Sequence, residues 1–129
     1  MHLFRAIGLI AASAGLTLSM PAAAHTHVAS STPAASATVS NVRTVSITFS
    51  EPFMPALSGL EIVMTGMPGM AGHHPAMKIT GVKVAPSADR KTLVATLPRP
   101  LAAGTYDMNW HAVGADTHRM TGTVSFTVR

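Results

Sequence analysis

Cysteine is absent from the 129 residues. That excludes a disulfide framework, a thiolate metal site and a cysteine nucleophile. Charge is sparse, at 11% of residues against roughly 25% in an average soluble protein. The net charge of +4 comes from nine Lys/Arg set against five Asp/Glu. The basic residues are scattered singly, apart from Arg90-Lys91, and give no concentrated footprint for nucleic acid. Aromatics are few, with one Trp, one Tyr and four Phe. No Ser/His/Asp arrangement and no glycine-rich phosphate loop is present. Two residue types stand out instead: nine methionines and seven histidines. With no thiol in the chain, soft-metal chemistry falls to the thioethers.

The first 24 residues read as an export signal. Met1 to Arg5 carries one positive charge, Ala6 to Met20 is apolar or small throughout, and Pro21 precedes Ala22-Ala23-Ala24. This is the three-part pattern of a cleavable secretory peptide. The apolar run is shorter than the ~20 residues a membrane span requires, which argues against an uncleaved anchor. Cleavage after Ala24 would leave 105 residues starting at His25, with no stable membrane insertion, in an oxidising compartment. There a thioether ligand has an advantage over a thiol: it forms no disulfide and needs no deprotonation to bind metal.

The rest alternates in short runs. Val45, Ile47 and Phe49 alternate with Thr44, Ser46 and Thr48 within the run Val42 to Phe49, a half-buried strand pattern. Further strands are expected over Leu60 to Met64, Ile79 to Val84, Thr92 to Leu97, Tyr106 to Val113 and Thr123 to Val128, divided by Pro and Gly turns. Ala29 to Ser40 is a weak candidate for a first strand. No helical apolar stripe of useful length occurs. Evenly spaced short strands predict a single-domain, all-β antiparallel sandwich or barrel. Tyr106 and Trp110 are expected core anchors, and Met54, Met108 and Met120 packing residues. His111 is expected to be structural or surface.

Two segments depart from a plain sandwich. From Met64 to Met77 the sequence is MTGMPGMAGHHPAM. Gly66, Pro68, Gly69 and Gly72 make a helix improbable, so the segment is expected to be a loop. Exposed methionine in an oxidising compartment is open to sulfoxide formation. Thioethers grouped with imidazole suit Cu(I); the alternative is a methionine-lined docking patch for a protein partner. The second segment is Asp116-Thr117-His118. In a strand-edge loop, residues two apart point the same way, so a carboxylate and an imidazole can converge on one ion. The amine and imidazole of a mature His25 would complete a Cu(II)-type N/O set. His27, third from that amine, offers a competing mode in which a flexible tail wraps Cu(II) through the amine, two deprotonated amides and the His27 imidazole. Both modes need the His25 amine.

With these residues in view, the chain resembles the CopC family of periplasmic copper-resistance proteins, across the whole stretch from His25 to Arg129. The markers are the histidine after the cleavage site, Thr48-Phe49-Ser50-Glu51, Met64-Thr65-Gly66-Met67, Lys83-Val84-Ala85-Pro86, Leu101 to Tyr106, the Trp110 strand, Asp116-Thr117-His118 followed by Gly122, and Phe126-Thr127-Val128. The resemblance, to the methionine-rich branch of the family, implies a Greek-key sandwich, cupredoxin-like in outline, that carries copper without catalysis. It implies a Cu(II) site at His25, Asp116 and His118. It also implies a Cu(I) site at Met64, Met67, Met70, Met77 and His73. His73 is followed here by His74 and Ala76, so Met77 stands one place later than the family pattern sets, and His74 is a second candidate ligand. His27 is an added candidate near the Cu(II) end. The partners implied are copper ions and a membrane copper transporter or other periplasmic copper-resistance proteins. An N-terminal histidine brace also serves oxidoreductases, but Asp116 would fill the position oxygen needs. A metal-independent docking domain is the remaining alternative.

Overall fold

The structure, a computed structural model, describes residues 26–68 and 75–129. Residues 1–24, expected to be an export signal, and the candidate ligands His25, Met70, His73 and His74 lie outside the described residues. Among the described residues nine strands form: β1 (Val28–Thr32), β2 (Thr38–Val39), β3 (Thr44–Phe49), β4 (Gly59–Gly66), β5 (Met77–Lys78), β6 (Lys83–Pro86), β7 (Thr92–Thr96), β8 (Gly104–Val113) and β9 (Arg119–Val128). A 3-10 turn, Pro55–Leu57, precedes β4. Among the described residues no helix is long and apolar enough to cross a membrane.

The strands divide between two sheets, ordered β1-β3-β7-β6 and β2-β9-β8-β4-β5. Neither closes on itself, so the architecture is an open sandwich rather than a barrel. All pairings are antiparallel except β2 with β9, which is parallel. The core lies where the alternation put it. Val45, Ile47 and Phe49 of β3 face Ile62 of β4, Tyr106, Met108 and Trp110 of β8, and Val124, Phe126 and Val128 of β9, all buried. The Phe49 ring meets Trp110 edge-on with centroids 5.0 Å apart, and Phe53 edge-on at 5.7 Å; edge-to-face contact suits the ring quadrupoles. Gly122 stands opposite Trp110 in the β8–β9 ladder, and a Cβ there would come within 2.6 Å of the indole. The missing side chain makes room for the ring.

Two strand expectations and one loop expectation need correction. Ile79 to Val84 is not one strand. Met77–Lys78 pairs with β4 in one sheet, while Lys83–Pro86 pairs with β7 in the other. Residues between them cross from sheet to sheet through Gly81, whose φ of 75° favours glycine. Ile79 and Val82, partly buried against the core, supplied the apolar signal. The Ala/Ser/Thr segment holds two strands, β1 and β2, on opposite sheets. The methionine-rich run is not loop from its first residue, because Met64 to Gly66 completes β4 and Met77 opens β5. Among the packing methionines, Met108 is fully buried and Met120 partly so, but Met54 is 40% exposed beside the 3-10 turn.

At the start of β8 the Tyr106 hydroxyl donates to the carbonyl oxygen of Ala102, 2.5 Å away. A buried tyrosine bonded to backbone a few residues upstream is a known corner device of β-sandwiches. It fixes the turn entering the strand that joins the two candidate sites.

Candidate metal centres

The first centre forms at the far end of β8, in its turn into β9. Asp116 and His118 do converge, though strand pleating is not the reason. They flank Thr117, which has a φ of 65°, in a tight turn where the Thr117 N–H donates to Gly114 O at 3.0 Å and the Gly114 N–H to His118 O at 3.3 Å. Asp116 Oδ1 accepts the His118 backbone N–H at 3.1 Å, the two-residue reach by which Asp caps its own turn. Its other oxygen, Oδ2, lies 3.2 Å from His118 Nδ1. Carboxylate and imidazole therefore stand side by side, both exposed to solvent.

Thr26, the first of the described residues, docks on this turn. Thr26 is 5% exposed, the one buried polar residue among those described. A Cβ on Gly114 would lie 2.7 Å from Thr26 Oγ1 and 3.2 Å from Asp116 Oδ1. Gly114 is thus a seat shaped for Thr26, beside the carboxylate. His27 is held from another direction: its N–H donates to Ser50 Oγ at 3.1 Å, and its carbonyl accepts the Ser50 N–H at 2.9 Å. Its residue is exposed. Phe53 pairs with Gly114 in an isolated bridge, and the Met54 N–H donates to Val113 O, so a separate segment braces the same corner.

The second centre lies at the opposite end of β8. Met64, Met67 and Met77 line one groove of about 570 Å³ together with Tyr106, Leu101 and Pro98 to Pro100. Met64 and Met77 are register partners in the β4–β5 ladder. Met64 is 7% exposed, Met67 38% and Met77 53%, so one thioether belongs to the floor and two to the rim. Lys78 and Arg99 border the groove. Its thioethers are soft donors, matched to Cu(I). Met70, His73 and His74, which the sequence also assigns here, lie outside the described residues. From Tyr106 to Gly114 the extended strand spans about 25–30 Å, so the two centres are well apart.

Sequence reasoning missed Thr26, Gly114 and Ser50. In the sequence Gly114 reads only as a turn glycine, and Ser50 only as part of the Thr48-Phe49-Ser50-Glu51 stretch that marks the resemblance. Their contacts join segments far apart in sequence, which no local pattern reports. His111, expected to be structural or surface, does have a packing role: its ring covers Gly59, where a Cβ would lie 2.8 Å from Cε1.

The CopC domain profile matches residues 28–129. The chain belongs to the CopC domain family. Within that family it is 42% identical over 130 aligned positions to copper resistance protein C of Xanthomonas campestris pv. juglandis, covering all of both chains. It is 43% identical over 108 positions to copper resistance protein C of Escherichia coli, covering 84% of each. The crystal structure of PcoC, described as a methionine-rich copper resistance protein from Escherichia coli, superposes with a TM-score of 0.73 at 40% identity, over 82% of this chain and all of that one. Family membership and fold agree with the sequence-based expectation.

Proposed function

We propose that the mature chain is a periplasmic copper carrier, non-catalytic, that begins at His25 after removal of its signal segment. Cu(II) binds through the His25 amine and imidazole with Asp116 and His118. Cu(I) binds separately through Met64, Met67, Met70 and Met77 with His73 or His74. The cargo passes to a membrane copper transporter or to other periplasmic copper-resistance proteins. The observation that carries this reading is Thr26 seated against Gly114 and Asp116. Thr26 docked beside Asp116 supports a Cu(II) site that draws on the residue next to it in the chain. The copper resistance names of the relatives support the cargo, and the exposed thioethers of Met67 and Met77 support the second site.

The experiment is intact native mass of protein recovered from the periplasm and loaded with one equivalent each of Cu(I) and Cu(II). The expected result is a chain starting at His25 that retains two coppers. A chain that retains none would make the methionine groove a docking surface and overturn the reading.

A further inference from the structure

A mature terminus of His25-Thr26-His27 can hold Cu(II) in two incompatible ways. One uses the His25 amine and imidazole with Asp116 and His118. The other wraps the ion with the amine, the amide nitrogens of Thr26 and His27, and the His27 imidazole. In the wrapped mode two amide protons leave to solvent for each copper bound. Nothing in the order of residues forbids it, because no proline stands at positions 26 or 27.

The fold opposes it at both residues, at the His27 amide and at the Thr26 side chain. The His27 amide proton is engaged by Ser50 Oγ at 3.1 Å, and the His27 carbonyl is held by the Ser50 N–H at 2.9 Å. Wrapping would require that amide to lose its proton and swing its nitrogen onto the ion, breaking this reciprocal pair. Thr26 is buried, with Oγ1 filling the space where any side chain at position 114 would sit. Bringing its amide nitrogen into a plane with that of His27 means lifting it from its seat and returning a buried contact to water. Ser50 lies at the end of β3 and Gly114 at the end of β8, so the two restraints come from different sheets and are independent.

We infer that Ser50 and Gly114 form a clasp on His27 and Thr26 that selects the coordination mode of the N-terminus, reserving the His25 amine for the Asp116–His118 site and excluding the amide-wrapped one. This rests on the proposed mature start at His25 and on the Cu(II) site named above. Ser50 and Gly114 are positioning residues: neither touches the ion. Their effect is selectivity, because an amide-wrapped ion would be bound without Asp116 and His118.

The test uses mature protein whose mass confirms the His25 start, loaded with one equivalent of Cu(II). Amide nitrogens are strong-field donors, so wrapping moves the visible Cu(II) band to shorter wavelength. In the native protein the band is expected to be unchanged by His27→Ala and altered by His118→Ala. In Ser50→Ala/Gly114→Ala it is expected to shift to shorter wavelength, with two more protons released per copper, and the shift is expected to vanish when His27→Ala is added. Trp110 fluorescence checks that each variant is folded. If Gly114→Ala unfolds the chain, Ser50→Ala alone, which deletes one half-buried hydroxyl, is read by the same criteria. A folded variant that keeps the native band and its dependence on His118 overturns the clasp. So does a native protein whose band already depends on His27. Native protein that binds no Cu(II), or whose band depends on neither histidine, overturns the proposed site itself and the clasp with it.

Discussion

Met64 and Met77 stand directly opposite each other across the β4–β5 ladder, yet one is buried and the other more than half exposed. β5 is only two residues long and forms the sheet edge, so among the described residues no further strand flanks its outer side. The pair joins the core to the groove, and its members should respond differently to substitution.

Met67→Leu and Met77→Leu are expected to weaken Cu(I) binding sharply in a chelator competition while leaving the melting temperature almost unchanged, because surface substitutions usually fall within about 0.5 kcal/mol. Met64→Leu, a volume-conserving core exchange, should cost less than about 1.5 kcal/mol, whereas Met64→Ala should cost about 2–5 kcal/mol. Urea unfolding alongside the competition separates loss of sulfur from loss of fold. Unchanged Cu(I) affinity in the Met67/Met77 double variant would refute the thioether site.

Gly122→Ala would place a methyl group inside contact distance of the Trp110 indole. Overpacking of this kind costs about 1–3 kcal/mol. Both the urea midpoint and the Trp110 emission maximum should shift, since the displaced ring also loses its edge contact with Phe49.

Burial pushes the Tyr106 phenol above its ordinary value of 10.0. The native state then keeps its proton in a pH range where the unfolded chain has released it. Stability from this group is complete below about pH 10 and declines as the pH climbs through the raised value. Tyr106→Phe should lower stability near neutrality by about 0.5–1.5 kcal/mol through loss of the bond to Ala102. It should also flatten the alkaline decline, which a series of unfolding curves above pH 9 would reveal.

The two centres are expected to separate by pH. Imidazole and amine bind metal only after shedding protons, so Cu(II) should be lost as the medium is acidified, while thioether-held Cu(I) persists much further. Equilibrium dialysis of each ion across an acid series checks this. Parallel loss of both ions would mean that imidazole dominates the Cu(I) site.

The parts of this molecule that were legible in sequence are those where chemistry repeats at the spacing of the structure. Val45, Ile47 and Phe49, and Val124, Phe126 and Val128, announce strands because every second residue is large and apolar. Ser30, Ser31, Thr38 and their neighbours announce nothing, since β1 and β2 bury little and are held largely by backbone pairing with β3 and β9. Ile79 to Val84 misled because a crossover that packs against the core is as apolar as a strand. At the candidate site, Asp116 and His118 could be paired by eye, but the pairing comes from the left-handed Thr117 and an Asp-capped turn. The seat beneath Thr26 could not be foreseen, because it consists of an absent side chain 88 positions further along.

Strand β8 has one candidate centre at each end, and its length sets the distance between them. Across about 25–30 Å no ligand can hand an ion directly from one to the other. A copper that changes oxidation state at one end must enter solution or meet the other end of a second molecule. Of these two routes only the second is bimolecular, so a dependence of exchange rate on protein concentration would tell transfer between molecules from release into solution.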